Sequence, residues 1–268
     1  MNMPKITVIM SVRNGGRDLH TCIPSILNQT FRDFEFIICD DGSTDDTFIL
    51  LKEYQMQDKR IVILRNEESK GLAYSLNRCI EIAQSNILAR QDADDTSALN
   101  RFELQYPFVC EHPEYAIVGT CWNNIFSDGH EVKNPIKELP TALDQVKGGL
   151  YMHPSWMMRK DQLEKVGFYT VNKHTMRSQD YHLVMKVLGV GMKLYNMQEY
   201  LYNYTMDERM MSRTRNWKRV IDLMWIRWDA YRRNHLPLWC YIYVLKPALT
   251  NLIPKSLMFK YYQRKGGK

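Results

Sequence analysis

Asn86-Ile-Leu-Ala-Arg-Gln-Asp-Ala-Asp-Asp95 decides the reading of this chain. A short apolar run, Ile87–Ala89, ends in Arg90 and then in three carboxylates within four positions, Asp92, Asp94 and Asp95. A buried strand that ends in acids presents oxygen ligands to a divalent cation at the rim of a sheet. Hard cations such as Mg²⁺ or Mn²⁺ bring phosphate oxygens with them, because carboxylates fill only part of the coordination shell. The stretch therefore implies a site for a metal and a nucleotide. The alternative, a solvated acidic turn, leaves adjacent like charges without an offsetting partner.

Upstream of it, strand and helix alternate. Lys5–Ser11 reads as a strand, followed by the loop Val12–Gly16 and a helix to about Asn28. Phe34–Cys39 is a second strand, and Asp40-Asp-Gly-Ser-Thr-Asp-Asp46 a turn in which Ser43 or Thr44 is expected to cap the next helix. Ile61–Leu64 is a third strand. From Gly71, Leu72, Leu76, Ile80 and Ala83 recur at helical spacing, and Ile87–Arg90 is the fourth strand. Four repeats in so short a span predict a parallel α/β sheet. Ligands in such sheets bind beyond the carboxyl ends of the strands. Three polar clusters fall there: Ser11–Asn14, Asp40–Asp41 and Asp92–Asp95.

Past residue 100 the alternation loosens. Leu99–Cys110 reads as a helix, Tyr115–Thr120 and Trp122–Phe126 as two strands, and Ser178–Leu188 as a helix with Ser178 as its N-cap. Trp217–Arg233 is another helix. His235–Phe259 is apolar but broken by Pro237, Lys246, Pro247 and Pro254, and its longest uncharged run is too short to span a bilayer. It is expected to lie in the membrane interface, with Trp239, Tyr241 and Tyr243 at headgroup depth.

Composition is that of an ordinary globular protein, 268 residues with 45% hydrophobic content. The six cysteines form no C-x-x-C pair, which suits a reducing cytosol better than a disulfide framework or zinc site. Met1–Lys5 leads straight into a strand, so no signal peptide is expected. The net charge of +6 hides a split: residues 1–200 hold 22 basic against 26 acidic side chains, residues 201–268 hold 14 against 4. The C-terminal part is thus expected to meet a polyanion, read here as lipid phosphate and not nucleic acid.

Ile6-Thr-Val-Ile-Met-Ser-Val-Arg-Asn14, Ser25-Ile-Leu-Asn-Gln-Thr-Phe31, Asp40–Asp46, Lys70-Gly-Leu-Ala73 and Asp92-Ala-Asp-Asp95, in that order, resemble glycosyltransferase family 2 over roughly residues 4–205. The resemblance implies the GT-A fold, a Rossmann-like, mostly parallel mixed sheet flanked by helices, here with a basic, aromatic helical extension over 206–268. It implies a nucleotide-sugar donor, Mn²⁺ or Mg²⁺, and inversion at the anomeric centre. Many such enzymes build bacterial O-antigen or capsule on a lipid-diphosphate carrier, so the acceptor implied is a polyprenyl-diphosphate-linked saccharide. The location implied is the cytoplasm, peripheral on the inner face of the plasma membrane. Residue by residue, Ser11, Arg13 and Asp41 match nucleotide-holding positions, with Asp41 as the partner of the base. Arg13 stands where an aromatic residue is usual, although a guanidinium plane also stacks. Asp92 and Asp94 match the metal-site motif, Asp94 for direct contact and Asp92 for ribose or metal. Asp95 is expected to be a supporting acceptor or the cap of the next helix.

The family's acid pair at a helix start falls on Gln179-Asp180, which makes Asp180 the general base. Gln179 replaces the usual Glu. The bland alternatives are turn chemistry for Asp41 and a helix-dipole role for Asp180. His153, in Met152–Trp156, either touches donor phosphate or acceptor or is a packed histidine. Arg213 and Arg215 either close over diphosphate or form a solvated basic helix end. His174 and His182 carry no pattern. Two rival functions remain at this point: a sugar nucleotidyltransferase, for which Val12-Arg-Asn-Gly-Gly16 is only a faint phosphate loop, and a non-catalytic nucleotide-sugar binder at the membrane.

Overall fold

The computed structural model describes residues 3–148, 151–176, 178–206 and 217–252. The alternation read from the sequence is observed: β1 (Ile6–Val12), α1 (Gly16–Leu27), β2 (Phe34–Asp40), α2 (Thr47–Gln57), β3 (Ile61–Arg65), α3 (Leu72–Ile82) and β4 (Ile87–Arg90). There follow β5 (Thr96–Ser97), α4 (Arg101–Glu111), β6 (Tyr115–Phe126), β7 (Glu131–Asn134) and α5 (Ala142–Lys147). The chain continues with β8 (Met157–Arg159), α6 (Lys160–Lys165), α7 (Gln179–Gly189) and β9 (Lys193–Met206). Last come α8 (Trp217–Arg233), a 3₁₀ segment Leu238–Leu245, and α9 (Lys246–Leu252).

Among the described residues one sheet runs β3-β2-β1-β4-β8-β6-β9-β5, with β7 on the edge of β6. β1, β2, β3 and β4 are parallel, and so are β6 and β9; β8 runs antiparallel between β4 and β6. The order turns back at β1, with β2 and β3 on one side and β4 on the other. That reversal opens a crevice at the carboxyl ends of β1 and β4, where ligands bind in sheets of this kind.

Both faces of the sheet are covered, so β1 and β2 are apolar at nearly every position. Ile6, Val8, Met10 and Val12 pack with Leu19, Cys22 and Ile26 of α1 and Phe102 of α4. Ile9 and Ile37 look the other way, toward Leu76 and Ile80 of α3 and Leu183 and Val187 of α7. A third cluster joins α8 and the 3₁₀ segment to the body: Ala230, Tyr231, Cys240 and Val244 pack with Val146 of α5 and Met185 of α7.

Four local expectations are corrected. Tyr115–Phe126 is one strand, irregular around Thr120–Trp122 rather than broken there; a bulge bends a strand without ending it. The helix after the Asp40 turn starts at Thr47, so Ser43 does not cap it but accepts the Asn14 N–H (2.9 Å). Ser178 occupies the N-cap position of α7 without a side-chain cap bond. Tyr241 and Tyr243 are half-buried, packing one side against the third cluster rather than lying fully exposed.

Candidate active site

The tip of β4 is held by buried polar bonds. Arg90 and Gln91 are fully buried. Arg90 sends one guanidinium nitrogen to Asp92 Oδ1 (2.5 Å) and another to the Gln91 carbonyl. Gln91 Nε2 donates to the Asp92 and Asp95 carbonyls (3.0 and 3.1 Å), and its Oε1 accepts from Ser97 (2.8 Å). Arg101, from the first turn of α4, closes the network on the Arg90 carbonyl and on Ser97. The turn that carries the acids is therefore braced from beneath.

Asp92, Asp94 and Asp95 bring carboxylate oxygens within 4.8 Å of one another. The three acids are not equivalent. Asp95 is buried; its Oδ2 accepts from the Tyr202 hydroxyl (3.0 Å) and its Oδ1 from the Thr205 N–H (2.8 Å). It supports the rim from β9 and is not a helix cap. Asp94 is exposed and Asp92 half-buried, so these two face the crevice. Burial and the charge of Asp92 raise the Asp94 carboxyl above its ordinary value. Burial, then Asp92 and Asp94, raise Asp95 well above its own. Three crowded carboxylates against the one ion-paired guanidinium of Arg90 leave a negative excess made of hard oxygen donors. That donor set, with Asp94 and Asp92 open to the crevice, fits a hard divalent cation such as Mn²⁺ or Mg²⁺.

Across the crevice, Ser11 lies at the end of β1 and Arg13 is exposed beyond it. Asn14, at φ 52°, accepts the Thr44 N–H on its side chain (2.9 Å) and so joins the first loop to the second. Asp41 is the hub of the second loop. Its Oδ1 accepts from Asn66 Nδ2 (2.7 Å), Lys70 N (2.8 Å) and Ser75 Oγ (3.0 Å). Its Oδ2 accepts from Ser69 Oγ (2.8 Å) and Gly71 N (2.9 Å). Five donors fill a carboxylate that offers about four lone-pair sites. A base reaches Asp41 only by displacing one of them. Gly42, at φ +67°, permits this packing: a Cβ there would lie 2.7 Å from the Glu68 carbonyl carbon.

Burial by itself would raise Asp41, but the Lys70 N–H, Asn66, Ser69 and the Gly71 N–H outweigh it and hold the carboxyl below its ordinary value. The folded group thus binds its proton less tightly than the unfolded one. The stabilisation is complete above the unfolded value and is lost as pH falls through the lower folded value. Asp41→Ala is expected to cost about 2–3 kcal/mol, because buried donors lose their acceptor. Thermal unfolding at neutral pH checks this, and the wild-type advantage should shrink in acid.

Asp180 is the second residue of α7. Burial raises its carboxyl; the Tyr181 N–H and its own N–H oppose that, Asp92 adds to it, and Arg90 opposes it. The base candidate therefore senses the metal-site acid and its arginine directly, although 88 residues separate Asp92 from Asp180. Gln179 is buried, and among the described residues its Oε1 has no hydrogen-bond partner. His153 is buried, 2.7 Å from the Tyr169 hydroxyl and edge-on to Trp156 at 4.6 Å. Burial, then Arg90, lowers its pKa well below the ordinary value, so it is a neutral packed ring beside Arg90. Arg213 and Arg215 lie outside the described residues.

Arg90 and Tyr202 were missed by sequence reasoning. Arg90 had a signal, a charge as the last residue of an apolar strand. Tyr202 had none, since the contact spans more than a hundred residues. His174, taken as bland, bonds Asp222 (2.7 Å) and stacks on Trp225 (4.8 Å), which ties the loop before α7 to α8.

A strand-order reversal, a cluster of carboxylates at its rim and a second acid at the start of α7 define an α/β protein of GT-A architecture. The sequence model of Glycosyl transferase family 2 matches residues 7–167, and the chain belongs to that family. The Bacillus subtilis (strain 168) protein EpsE, named as a glycosyltransferase, is 34% identical over 98% of this chain and 94% of its own. The Escherichia coli WfaP, named as a UDP-Glc:alpha-D-GlcNAc-diphosphoundecaprenol beta-1,3-glucosyltransferase, is 25% identical over 72% of this chain and 74% of its own. The mannosyltransferase PcManGT from Pyrobaculum calidifontis, solved with GDP-Man and Mn²⁺, shares the fold. Its TM-score is 0.66 at 15% identity, covering all of this chain and 82% of the other.

Proposed function

We propose that this glycosyltransferase is metal-dependent and inverting. It moves a hexose or N-acetylhexosamine from a UDP-sugar to a hydroxyl of a polyprenyl-diphosphate-linked saccharide, in bacterial surface-polysaccharide synthesis of the O-antigen or capsule type. The observation that supports this reading is the carboxylate cluster at the tip of β4, whose Asp92 and its ion-paired Arg90 lie near enough to act on the charge of Asp180. The donor and the lipid-diphosphate acceptor named for WfaP support the substrate classes. The Mn²⁺ in PcManGT supports the metal.

In this reading Ser11, Arg13 and the Asp41 loop hold the nucleoside, and Asp94 and Asp92 hold the cation. The bound cation supplies Lewis-acid stabilisation of charge on the departing diphosphate. Asp180 removes the acceptor hydroxyl proton as that oxygen attacks the anomeric carbon. Its raised pKa keeps it a stronger base than an exposed carboxylate. Gln179, next to Asp180 at the start of α7, is proposed to accept from a sugar hydroxyl. Arg213 and Arg215 are proposed to meet the diphosphate. His153 is a packed ring against Tyr169 and Trp156 and touches no substrate in this reading. Residues 1–205 form the catalytic part and 206–268 the acceptor-side extension, at the cytoplasmic face of the plasma membrane.

The test pairs binding with stereochemistry. Thermal shift against UDP- and GDP-sugars, with and without Mn²⁺, should show stabilisation by a UDP-sugar that EDTA abolishes. Product formed on a synthetic lipid-diphosphate saccharide should carry the opposite anomeric configuration by NMR. Retention of configuration, or donor binding indifferent to EDTA, would count against the mechanism.

A further inference from the structure

Positive charge gathers at the carboxyl end of α5. Lys246, the first residue of α9, donates from Nζ to the Lys147 carbonyl (2.9 Å). Arg227 of α8 donates from Nη1 to the Val146 carbonyl (3.3 Å) and to the Tyr231 hydroxyl (2.8 Å). Both cations are half-buried, and Lys147, exposed at the last position of α5, adds another charge. Gly148, at φ +103°, admits the lysine: a Cβ there would lie 2.8 Å from Lys246 Nζ. The neighbouring acids on α5 and α8 are committed elsewhere. Asp144 pairs with Lys137 (2.7 Å), Asp222 with His174 (2.7 Å), and Asp229 with Arg233 (2.6 Å) and Arg232 (3.6 Å). Among the described residues no carboxylate pairs with Arg227 or Lys246. Burial, then the charge of Arg227, lowers the Lys246 pKa. The last carbonyls of α5 offset part of the charge. An arginine and a lysine nevertheless carry more N–H donors than these bonds use.

We infer that Arg227, Lys246 and Lys147 form a binding site for the diphosphate of the acceptor. Crowded cations demand an anion for the same reason that crowded carboxylates demand a cation. Guanidinium and ammonium groups with spare N–H donors bind phosphate oxygens well. The place of the site selects the acceptor's diphosphate over the donor's. Arg227 lies over the Tyr181 ring at 5.3 Å, and Tyr181 follows Asp180 in α7. Tyr151, three residues past Gly148, has a buried hydroxyl with no hydrogen-bond partner among the described residues. Burial, then the charges of Tyr181 and Asp180, raise its pKa well above the ordinary value, so Tyr151 is near both. The cations therefore flank the base candidate on its α8 side, whereas Asp92 and Asp94 follow β4. A saccharide with one hydroxyl at Asp180 reaches them through the diphosphate on its anomeric carbon, and the Tyr151 hydroxyl meets the sugar on the way. The occupant rests on the proposed transfer; the anion site itself does not.

Calorimetry with the full chain tests this without turnover. Pyrophosphate is the probe, and EDTA keeps it from entering through a cation at Asp92 and Asp94. The wild type should bind it. Lys246→Gln and Arg227→Gln should each weaken binding about tenfold, as for the loss of one charge-assisted contact. Lys246→Arg should keep it, and Lys165→Gln, at an exposed site on α6, should bind like the wild type. Thermal midpoints show which variants are folded, and Lys246→Gln decides if Arg227→Gln is not. An alkyl diphosphate ester of N-acetylglucosamine should displace pyrophosphate more strongly than UDP does, and a plain alkyl glycoside should not displace it. Stronger displacement by UDP would assign the site to the donor, and displacement by neither would assign it to free phosphate; each overturns the inference. No binding by the wild type, or equal binding by Lys246→Gln, would leave the cations as caps of α5 and overturn it too. Failure of the proposed transfer shows separately, as a wild type that holds the ester through Lys246 yet moves no sugar to it.

Discussion

Asp94→Asn is expected to lower turnover by about 10²–10⁴-fold while leaving the fold intact or slightly more stable. The first part follows from the metal's task. Charge stabilisation on a departing diphosphate amounts to several kcal/mol, and each factor of ten in rate is about 1.4 kcal/mol. Asp94 is the exposed acid of the three, whereas both oxygens of Asp95 are occupied by Tyr202 and Thr205. The second part follows from repulsion. Partial desolvation at the crowded rim and the charge of Asp92 raise Asp94, so its charge is unfavourable in the folded protein without a cation. Removing that charge relieves Asp92 and Asp95. The measurement is a pair of melting curves with and without Mn²⁺, beside a rate. The wild type should gain thermal stability from Mn²⁺ and the variant should gain little. A variant that keeps its rate and its Mn²⁺ response would move the cation elsewhere.

Asp180→Asn is expected to lower kcat by about 10²–10⁴-fold, the range for loss of a positioned general base. Donor affinity should be almost unchanged, because in the proposed reading the donor is held at β1, β2 and β4. The pH profile separates a base from a helix-dipole partner. A base must be ionised, so wild-type activity should fall on the acid side. Burial and Asp92 place that limb above the ordinary carboxylate range. The variant should have lost the limb along with the rate. If Asp180 only complemented the α7 dipole, the substitution would change stability by tenths of a kcal/mol to about 1 kcal/mol and leave the pH profile in place.

The positions of the first four strands were legible to within one or two residues, because apolar runs buried on both faces admit few other readings. The acid motif was legible for an electrostatic reason, since carboxylates at this density imply a cation or a partner. What each acid does was not legible. Asp92, Asp94 and Asp95 are chemically alike, and only the arrival of Tyr202 and Thr205 from β9 separates the supporting acid from the two that face the crevice. Asp41 shows the same limit. Its position matches a nucleoside contact, yet five donors from residues 66–75 fill it, and nothing in the Asp40–Asp46 turn announces them.

The C-terminal part divides in the same way. Its charge excess was countable, and so were its aromatic residues. Which of these turn outward was decided by packing against α5, α7 and α8, and two of the three aromatic residues expected at headgroup depth are half-buried against the body. Local sequence by itself determined the first four strands, the helices between them and the acidic cluster at the tip of β4, because burial periodicity and charge density act over a few residues; β5, β7, β8 and β9 were not legible in it. Tertiary structure alone decided the partners of Arg90, Asp95, Asp41 and Asp180. Their bonds and fields are short in space but long in sequence, and no local pattern encodes which distant strand will close on them.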